Sequence, residues 1–483
     1  MPIKNGLQYV ERLDSSKACI WIRGERLTGP VSQHPAFAGL ISTQAALYDL
    51  QGREETISRM TYASPATGAP VGMSFLQPRT KADLERRRQM MGMWAEAHHG
   101  FLGRAPDYMN TGMMAFGSAA DLLSDLHPSY ADNMRNYYEY CREQDITLSH
   151  AFIVPHAARL STLMKTFEEP DAPRVVDKTK DGLIVSGAFL LATQGVTAEE
   201  ILIFPPALPS IHEDNPHAFA FAIPNDLPGV QFICRESLAA GSSKYDYPLS
   251  SRFEEMDTLV VLDHVLVPHE RVFLYGDEHM AARFIEESHF HTHAGHQVLC
   301  KNIAKTEFLL GTLESIVQVL GLGTYPQVIE KIAEVIAGLE TLKALLIASE
   351  ANAKPDRWGL MLPDTKPLYT ASFLFPKLYP RMIEIVQLLG ASGLVMLPGE
   401  LDFQSGAAAG IERYLRGIDM DAKAKVGLFR LAWEMSSSAF GGRQCLYERF
   451  FFGDAVKVSS RLYNGCADKK DYAEQVKRFL QED

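Results

Sequence analysis

Apolar residues recur every three or four positions near both ends of the chain, and alternate or run together in the stretch between. Up to residue 155 the pattern is mainly helical. The segment 80–100, TKADLERRRQMMGMWAEAHHG, opens on Thr80 with acids close behind and closes on Gly100, which are helix start and stop signals. A second helix is predicted over 129–145, SYADNMRNYYEYCREQD, where Tyr137, Tyr138, Tyr140 and Cys141 supply the apolar bulk. Between them, 101–117 reads FLGRAPDYMNTGMMAFG, and its Gly, Pro and Asn content predicts a loop. From 156 to 278 the signals change to short apolar or alternating runs: DGLIVSGAFLLATQG, EEILIFPPAL, AFAFAIPND, GVQFICRES and DTLVVLDHVLVPHERVF. Their spacing predicts strands of a β-sandwich or barrel, with a hairpin turn at Lys180-Asp181-Gly182. From 279 to 483 the helical period returns, over 300–323 and 326–353, then about 370–389 and 422–439. Pro326 stands where a helix start tolerates proline. Long antiparallel helices with such faces make a bundle. The expectation is an α+β chain with a mainly helical domain 1–155, a β domain 156–278, and a helical bundle and tail 279–483.

Composition narrows the function classes. The 483 residues are 46% hydrophobic and 22% charged, ordinary for a globular protein, and the net charge is -12. No basic stripe stands out, so nucleic acid is not an expected partner. Cys19, Cys141, Cys234, Cys300, Cys445 and Cys466 form no CxxC pair, and sparse thiols in a long chain fit a reducing compartment. The longest apolar stretch, 182–196, is glycine-broken and too short to span a membrane. The beginning, MPIKNG, has no apolar signal core. A cytoplasmic protein without membrane contact is expected.

One segment carries more chemistry than the rest. Residues 103–108 read Gly-Arg-Ala-Pro-Asp-Tyr, and Thr-Leu-Ser-His150 follows some forty residues on. Arg104 stays charged and can fix a phenolate, Tyr108 donates and accepts hydrogen bonds, and His150 ionises nearest neutrality. Such a set suits holding a phenol and managing its proton. Taken alone, each also fits a blander place: a salt-bridged loop arginine, a core histidine.

Six motifs in order move that balance: GRAPDYMN, LSHAFIVPHAAR, GAFLLATQG, DHVLVPHERVF, QLLGASGLVMLP and LYERFFFGD. Together they resemble the 4-hydroxyphenylacetate 3-monooxygenase family, the large oxygenase components of two-component flavin-dependent aromatic hydroxylases. The resemblance runs from WIRGERL near Trp21 to GDAVK near Lys457, and it implies an acyl-CoA dehydrogenase-like fold of helical domain, β domain and four-helix bundle. It also implies site roles. Arg104, Ala105, Pro106, Asp107 and Tyr108 match the loop that holds the phenol, and His150 the histidine at its hydroxyl. His156, Ala157, Ala158 and Arg159 match a flavin-binding turn, although the family usually has glutamine at 156. Thr193 matches the threonine near flavin N5, and Phe451, Phe452, Gly453 and Asp454 match a C-terminal flavin-contacting segment, where a core role for the two phenylalanines stays open. Gly390 to Gly393 resembles a turn that approaches the cofactor of a neighbouring subunit. The implied reaction is ortho-hydroxylation of a 4-substituted phenol, best 4-hydroxyphenylacetate, with O2 and exchangeable FADH2, through a C4a-hydroperoxide. Arg104, Tyr108 and His150 would be catalytic. A homotetramer is likewise implied.

No metal set is evident. His289, His291, His293 and His296 cluster, but His291 and His293 do not share a helical face, and neither HExxH nor carboxylate–histidine spacing is present. Reduced flavin is then the natural oxygen donor. Gly321-Leu-Gly323 leads into Thr324-Tyr325-Pro326 rather than a βα turn, and no GxxxxGK[ST] occurs. A separate NAD(P)H-dependent reductase is therefore the expected source of FADH2. The rival of similar layout, 4-hydroxybutyryl-CoA dehydratase, needs two cysteines in the loop that here reads HHGFLGRAPDYMN. Cys300 beside His293 is too little for a cluster. An acyl-CoA dehydrogenase would need a glutamate base, for which Glu412 stays open, and a non-catalytic helical oligomer is the remaining alternative. The segment 205–217, with Ser210 and His212, is expected to close over the substrate.

Overall fold

The computed structural model describes residues 3–156, 172–204, 215–239, 241 and 243–481. They form two compact units, Met1–Lys301 with Pro355–Met361, and Asn302–Lys354 with Leu362–Asp483.

The first unit is built on two sheets. The strands of these two sheets are β1 (Cys19–Ile22), β2 (Glu25–Arg26), β3 (Leu148–Ala151), β4 (Arg174–Lys178), β5 (Gly182–Thr193), β6 (Glu200–Ile203), β7 (Asn215–Pro224), β8 (Val230–Cys234), β9 (Asp257–Pro268) and β10 (Val272–Gly276). One sheet runs β2-β1-β8-β9-β5-β4 and the other β10-β7-β6-β3. The long pair β5 and β9 is antiparallel, from Thr193 opposite Asp257 to Gly182 opposite Pro268, with register shifts between Thr258 and Val260 and between Leu262 and Val265. Alternation directs Val260, Leu262, Val265 and Val267 inward, where they share one core with Val185, Phe189, Phe219 and Phe221. The rings of Phe189 and Phe219 meet edge-on at 6.5 Å between centroids. The strands predicted between 181 and 273 are present, and the turn after Lys178 closes as expected, with the Thr179 amide donating to the Gly182 carbonyl at 2.9 Å.

Three strands of these sheets, β1, β2 and β3, come from the expected helical domain. β1 pairs parallel with β8, and β3 pairs parallel with β6, setting His150 opposite Leu202. Helices α1 (Gly6–Ser15) and α2 (Pro35–Gly52) send Tyr9, Leu13, Phe37, Ile41 and Tyr48 into the same core. The N-terminal helices and the β layer therefore fold as one unit.

Helices α3 (Lys81–Ala97) and α5 (Pro128–Gln144) lie where expected; Thr80 caps α3, its hydroxyl accepting from the Asp83 amide while Asp83 bonds back. The loop expected over 101–117 is a helix from residue 106 onward. This is α4 (Pro106–Ser118), with proline in its first turn and every residue from Pro106 to Phe116 buried. Its glycines and asparagine weaken intrinsic helix propensity, but burial of Met109, Met113, Met114 and Phe116 outweighs that.

Helix α6 (Phe290–Leu320) begins in the first unit and continues into the second. There α7 (Pro326–Ala351) starts at Pro326, and α8 (Thr365–Gly390) packs against it and against Ala422–Ser436, Ala439–Phe450 and Ala455–Gly465. A buried ion pair, Lys305 Nζ to Glu448 Oε1 at 2.6 Å, ties α6 to Ala439–Phe450. No described helix is long and apolar enough to cross a membrane.

Candidate active site

Arg104 and Tyr108 are placed by a tight exit from α3 and an abrupt entry into α4. Gly100 takes φ 71°, a conformation glycine adopts without strain, and its amide donates to the Ala95 carbonyl at 2.9 Å. The chain turns at Gly103 and Arg104, and Pro106 opens α4 with its φ already helical. The Arg104 guanidinium then lies 4.4 Å from the centre of the Tyr108 ring. Strand β3 brings in His150, whose ring centre is 5.8 Å from that of Tyr108. The three side chains singled out in the sequence converge.

Aromatic side chains wall the cluster. His150 stacks on Phe152 at 5.7 Å and meets Phe204 edge-on at 6.2 Å. Phe290, in the first turn of α6, lies edge-on to Tyr108 at 6.2 Å. Phe116 contacts both Phe204 and Phe290, at 5.1 and 5.0 Å. In this dry setting burial pushes the His150 pKa well below the usual histidine range, and the Arg104 cation adds to the fall. Burial raises the Tyr108 pKa, against a smaller opposing pull from Arg104. The imidazole is thus neutral and able to accept a hydrogen bond, and the tyrosine keeps its proton.

Thr193 ends β5 next to this cluster. Its carbonyl accepts from Ser149 Oγ at 2.8 Å, one residue before His150. Its hydroxyl donates to Asp257 Oδ1 at 2.8 Å, and Asp257 in turn is held by Arg235 Nε at 3.0 Å. With its proton committed, the Thr193 oxygen is left as an acceptor. On the same strand Leu190 and Leu191 are each 39% exposed, and Phe152 beside them 46%. An exposed apolar strip ending in an oriented polar group matches the chemistry of a flat aromatic cofactor with a polar edge, such as flavin.

Comparison with known proteins decides the lineage. The model of the 4-hydroxyphenylacetate 3-hydroxylase N-terminal part matches residues 5–274, and that of the C-terminal part residues 281–481. The chain belongs to the 4-hydroxyphenylacetate 3-hydroxylase family. It is 45% identical to the 4-hydroxyphenylacetate 3-monooxygenase oxygenase component of Geobacillus sp. (strain PA-9), covering 99% of this chain and 97% of that one. A crystal structure of such an oxygenase component, complexed with FAD and 4-hydroxyphenylacetate, superposes with a TM-score of 0.93 at 42% identity, covering 99% and 98% of the two chains. An archaeal 4-hydroxybutyryl-CoA dehydratase superposes with a TM-score of 0.86 at 21% identity over 98% of this chain and 95% of that one, which shows a shared fold.

Other expected site residues of this hydroxylase-family chain sit in different surroundings. Ala105 caps α4 and Pro106 is its first residue, so both act through backbone shape. The Asp107 carboxylate accepts from Gln297 Nε2 at 3.0 Å, and burial raises its pKa to about 6. His156 is exposed. Ala157, Ala158 and Arg159 lie outside the described residues, as do Ser210 and His212. Phe451 to Asp454 form the turn between helices Ala439–Phe450 and Ala455–Gly465 of the second unit. There Phe451 and Phe452 pack edge-on at 4.7 Å and the Asp454 side chain caps the second helix. Among the described residues, no group of three or more His, Cys, Asp or Glu side chains has the geometry to hold a metal. His293 and His296 are buried on α6. The sequence reading passed over Phe204, Phe290, Gln194, Glu255 and Asp257. The acidic run Glu254-Glu255-Met256-Asp257 ahead of a strand was the one local signal.

Proposed function

We propose that this protein is the oxygenase of a two-component hydroxylase, placing one atom of O2 ortho to the hydroxyl of a 4-substituted phenol. 4-Hydroxyphenylacetate is the first substrate to test, because relatives covering the whole chain carry it in their names. A separate NAD(P)H-dependent reductase would supply FADH2, and the assembly would be a cytoplasmic homotetramer. Reduced flavin, when bound, supplies the activated oxygen. The observation that carries the reading is the convergence of Arg104, Tyr108 and neutral His150 inside an aromatic wall.

Each group has a defined task. A phenol becomes a better carbon nucleophile as its proton leaves. Neutral His150 accepts a hydrogen bond from the hydroxyl, and Arg104 stabilises the developing phenolate, more strongly in a dry site than in water. Tyr108 holds the ring and, with its proton retained, donates toward the same oxygen. Phe204, Phe290 and Phe116 exclude water, which protects a reactive oxygen donor from collapse. On the cofactor side, the Thr193 oxygen would accept from an N–H of reduced flavin, and Leu190, Leu191 and Phe152 would offer its ring an apolar surface. Gly390 to Gly393 line a cavity of about 570 Å³ with Lys331 and Lys425 in the second unit, which suits an anionic cofactor group from a neighbouring subunit.

The test is direct. The purified chain is mixed with FAD, a flavin reductase, NADH and 4-hydroxyphenylacetate under 18O2. A catechol carrying one labelled oxygen is expected. Peroxide release without any catechol, across a panel of 4-substituted phenols, would overturn the reading.

A further inference from the structure

Glu255 is fully buried, on the short link between helix Ser250–Phe253 and β9. One of its oxygens, Oε1, accepts from the Arg104 backbone amide at 2.6 Å and from Gln194 Nε2 at 2.8 Å. Those donors belong to the two segments that meet at the candidate site: the turn carrying Arg104, and the residue after Thr193. Gln194 itself has φ 60°, and its amide donates to the Met256 carbonyl at 2.7 Å. Thr193 is tied to Asp257 one position further on. Residues 255–257 thus grip the end of β5 at three points and the Arg104 turn at one.

We infer that Glu255 is a positioning residue for hydroxylation, setting the distance between the Arg104 turn and the Thr193 end of β5 through a single carboxylate oxygen. This rests on the function proposed above. Two observations favour it over a role in stability alone. A wholly buried carboxylate is costly to retain, and apolar replacement of buried charge is often neutral or stabilising. Its bonds to the Arg104 amide and to Gln194 Nε2 reach across 151 and 61 residues of sequence, to the two predicted site segments. Behind that contact, Gln194 Oε1 accepts from Gln44 Nε2, so the Gln194 amide is held at both ends.

The test uses Glu255→Asp, Glu255→Ala and Glu255→Gln in the full chain. Aspartate keeps the charge but is one methylene too short to reach both donors. Glutamine keeps an oxygen at the same reach. Hydrogen exchange at the Arg104 amide, measured without flavin or substrate, reads the contact itself. KM for 4-hydroxyphenylacetate, and catechol formed per NADH consumed, read its consequence. The aspartate and alanine variants are expected to exchange at residue 104 at least tenfold faster, and to show a several-fold higher KM with more peroxide per turnover. Glutamine is expected to restore all three. Wild-type KM and coupling in the alanine variant, or activity lost only in proportion to folded protein, would overturn the inference. A wild-type chain that forms no catechol overturns the functional reading, and the catalytic part of this one with it.

Discussion

Arg104 is more than a positive charge at its position. Its guanidinium lies over the Tyr108 ring and near His150, where a planar fork can stack and still present parallel donors. Lysine carries the same charge without either property. Arg104→Ala is expected to lower kcat/KM for 4-hydroxyphenylacetate by about a hundredfold, as for loss of a donor to a developing oxyanion, and Arg104→Lys to recover only part. Steady-state catechol formation checks both, and an unchanged alanine variant removes Arg104 from the mechanism. His150 makes a second prediction. Because burial and Arg104 hold its pKa well below the usual range, its protonation does not limit activity near neutrality. The pH profile of kcat/KM should lack an acid limb at about 6.5, the ordinary histidine value. A limb there that vanishes in His150→Asn would contradict the assignment. At this scale the identities of the reactive groups were legible in the sequence, because Arg, Tyr and His announce their chemistry. Glu255 was not, since an acidic residue before a strand looks like surface until its partners, 61 and 151 residues away, are seen.

Helix α4 shows how an element can contradict its local signals. Gly103, Pro106, Asn110, Gly112 and Gly117 all argue for a loop. Proline is harmless in the first turn, and the later glycines serve close packing. A Cβ added at Gly117 would stand 2.7 Å from Cγ of Tyr138 on α5. Gly117→Ala should therefore push the two helices apart and destabilise the fold by about 1–3 kcal/mol, the usual cost of overpacking. Denaturant unfolding measures it, and an unaltered midpoint would mean the helices have slack. α4 carries Tyr108, so the variant should also weaken phenol binding. By contrast α3, α5, α7 and the strands from β5 to β9 form where the sequence pattern places them, because local pattern and tertiary packing agree.

Proton linkage belongs to the whole molecule. His150 and His293 are both held well below the usual range, each by burial first, with Arg104 beside the one and Arg87 beside the other. Below about pH 6.5 the unfolded chain protonates both while the folded chain does not. The unfolded state then binds more protons, so stability falls with pH in that window, by up to about 1.4 kcal/mol per unit for each histidine. Asp107 opposes this. Its pKa is raised to about 6, so between about pH 6 and 4 the folded chain holds the extra proton and stability is gained on acidification. His293→Gln should flatten the acid loss below pH 6.5, and Asp107→Asn should steepen it below pH 6. Denaturant titrations from pH 8 to 4.5 check both signs. The sequence by itself determined the order of helical and β segments, the family resemblance and the kinds of reactive side chain, because periodicity, ordered motifs and chemical identity are local properties. Only the tertiary structure decided that α4 is a helix, that β1 and β3 join the sheets, and that Glu255 bridges the Arg104 turn to β5. Those outcomes depend on burial and on partners far apart in the chain, which no local window contains.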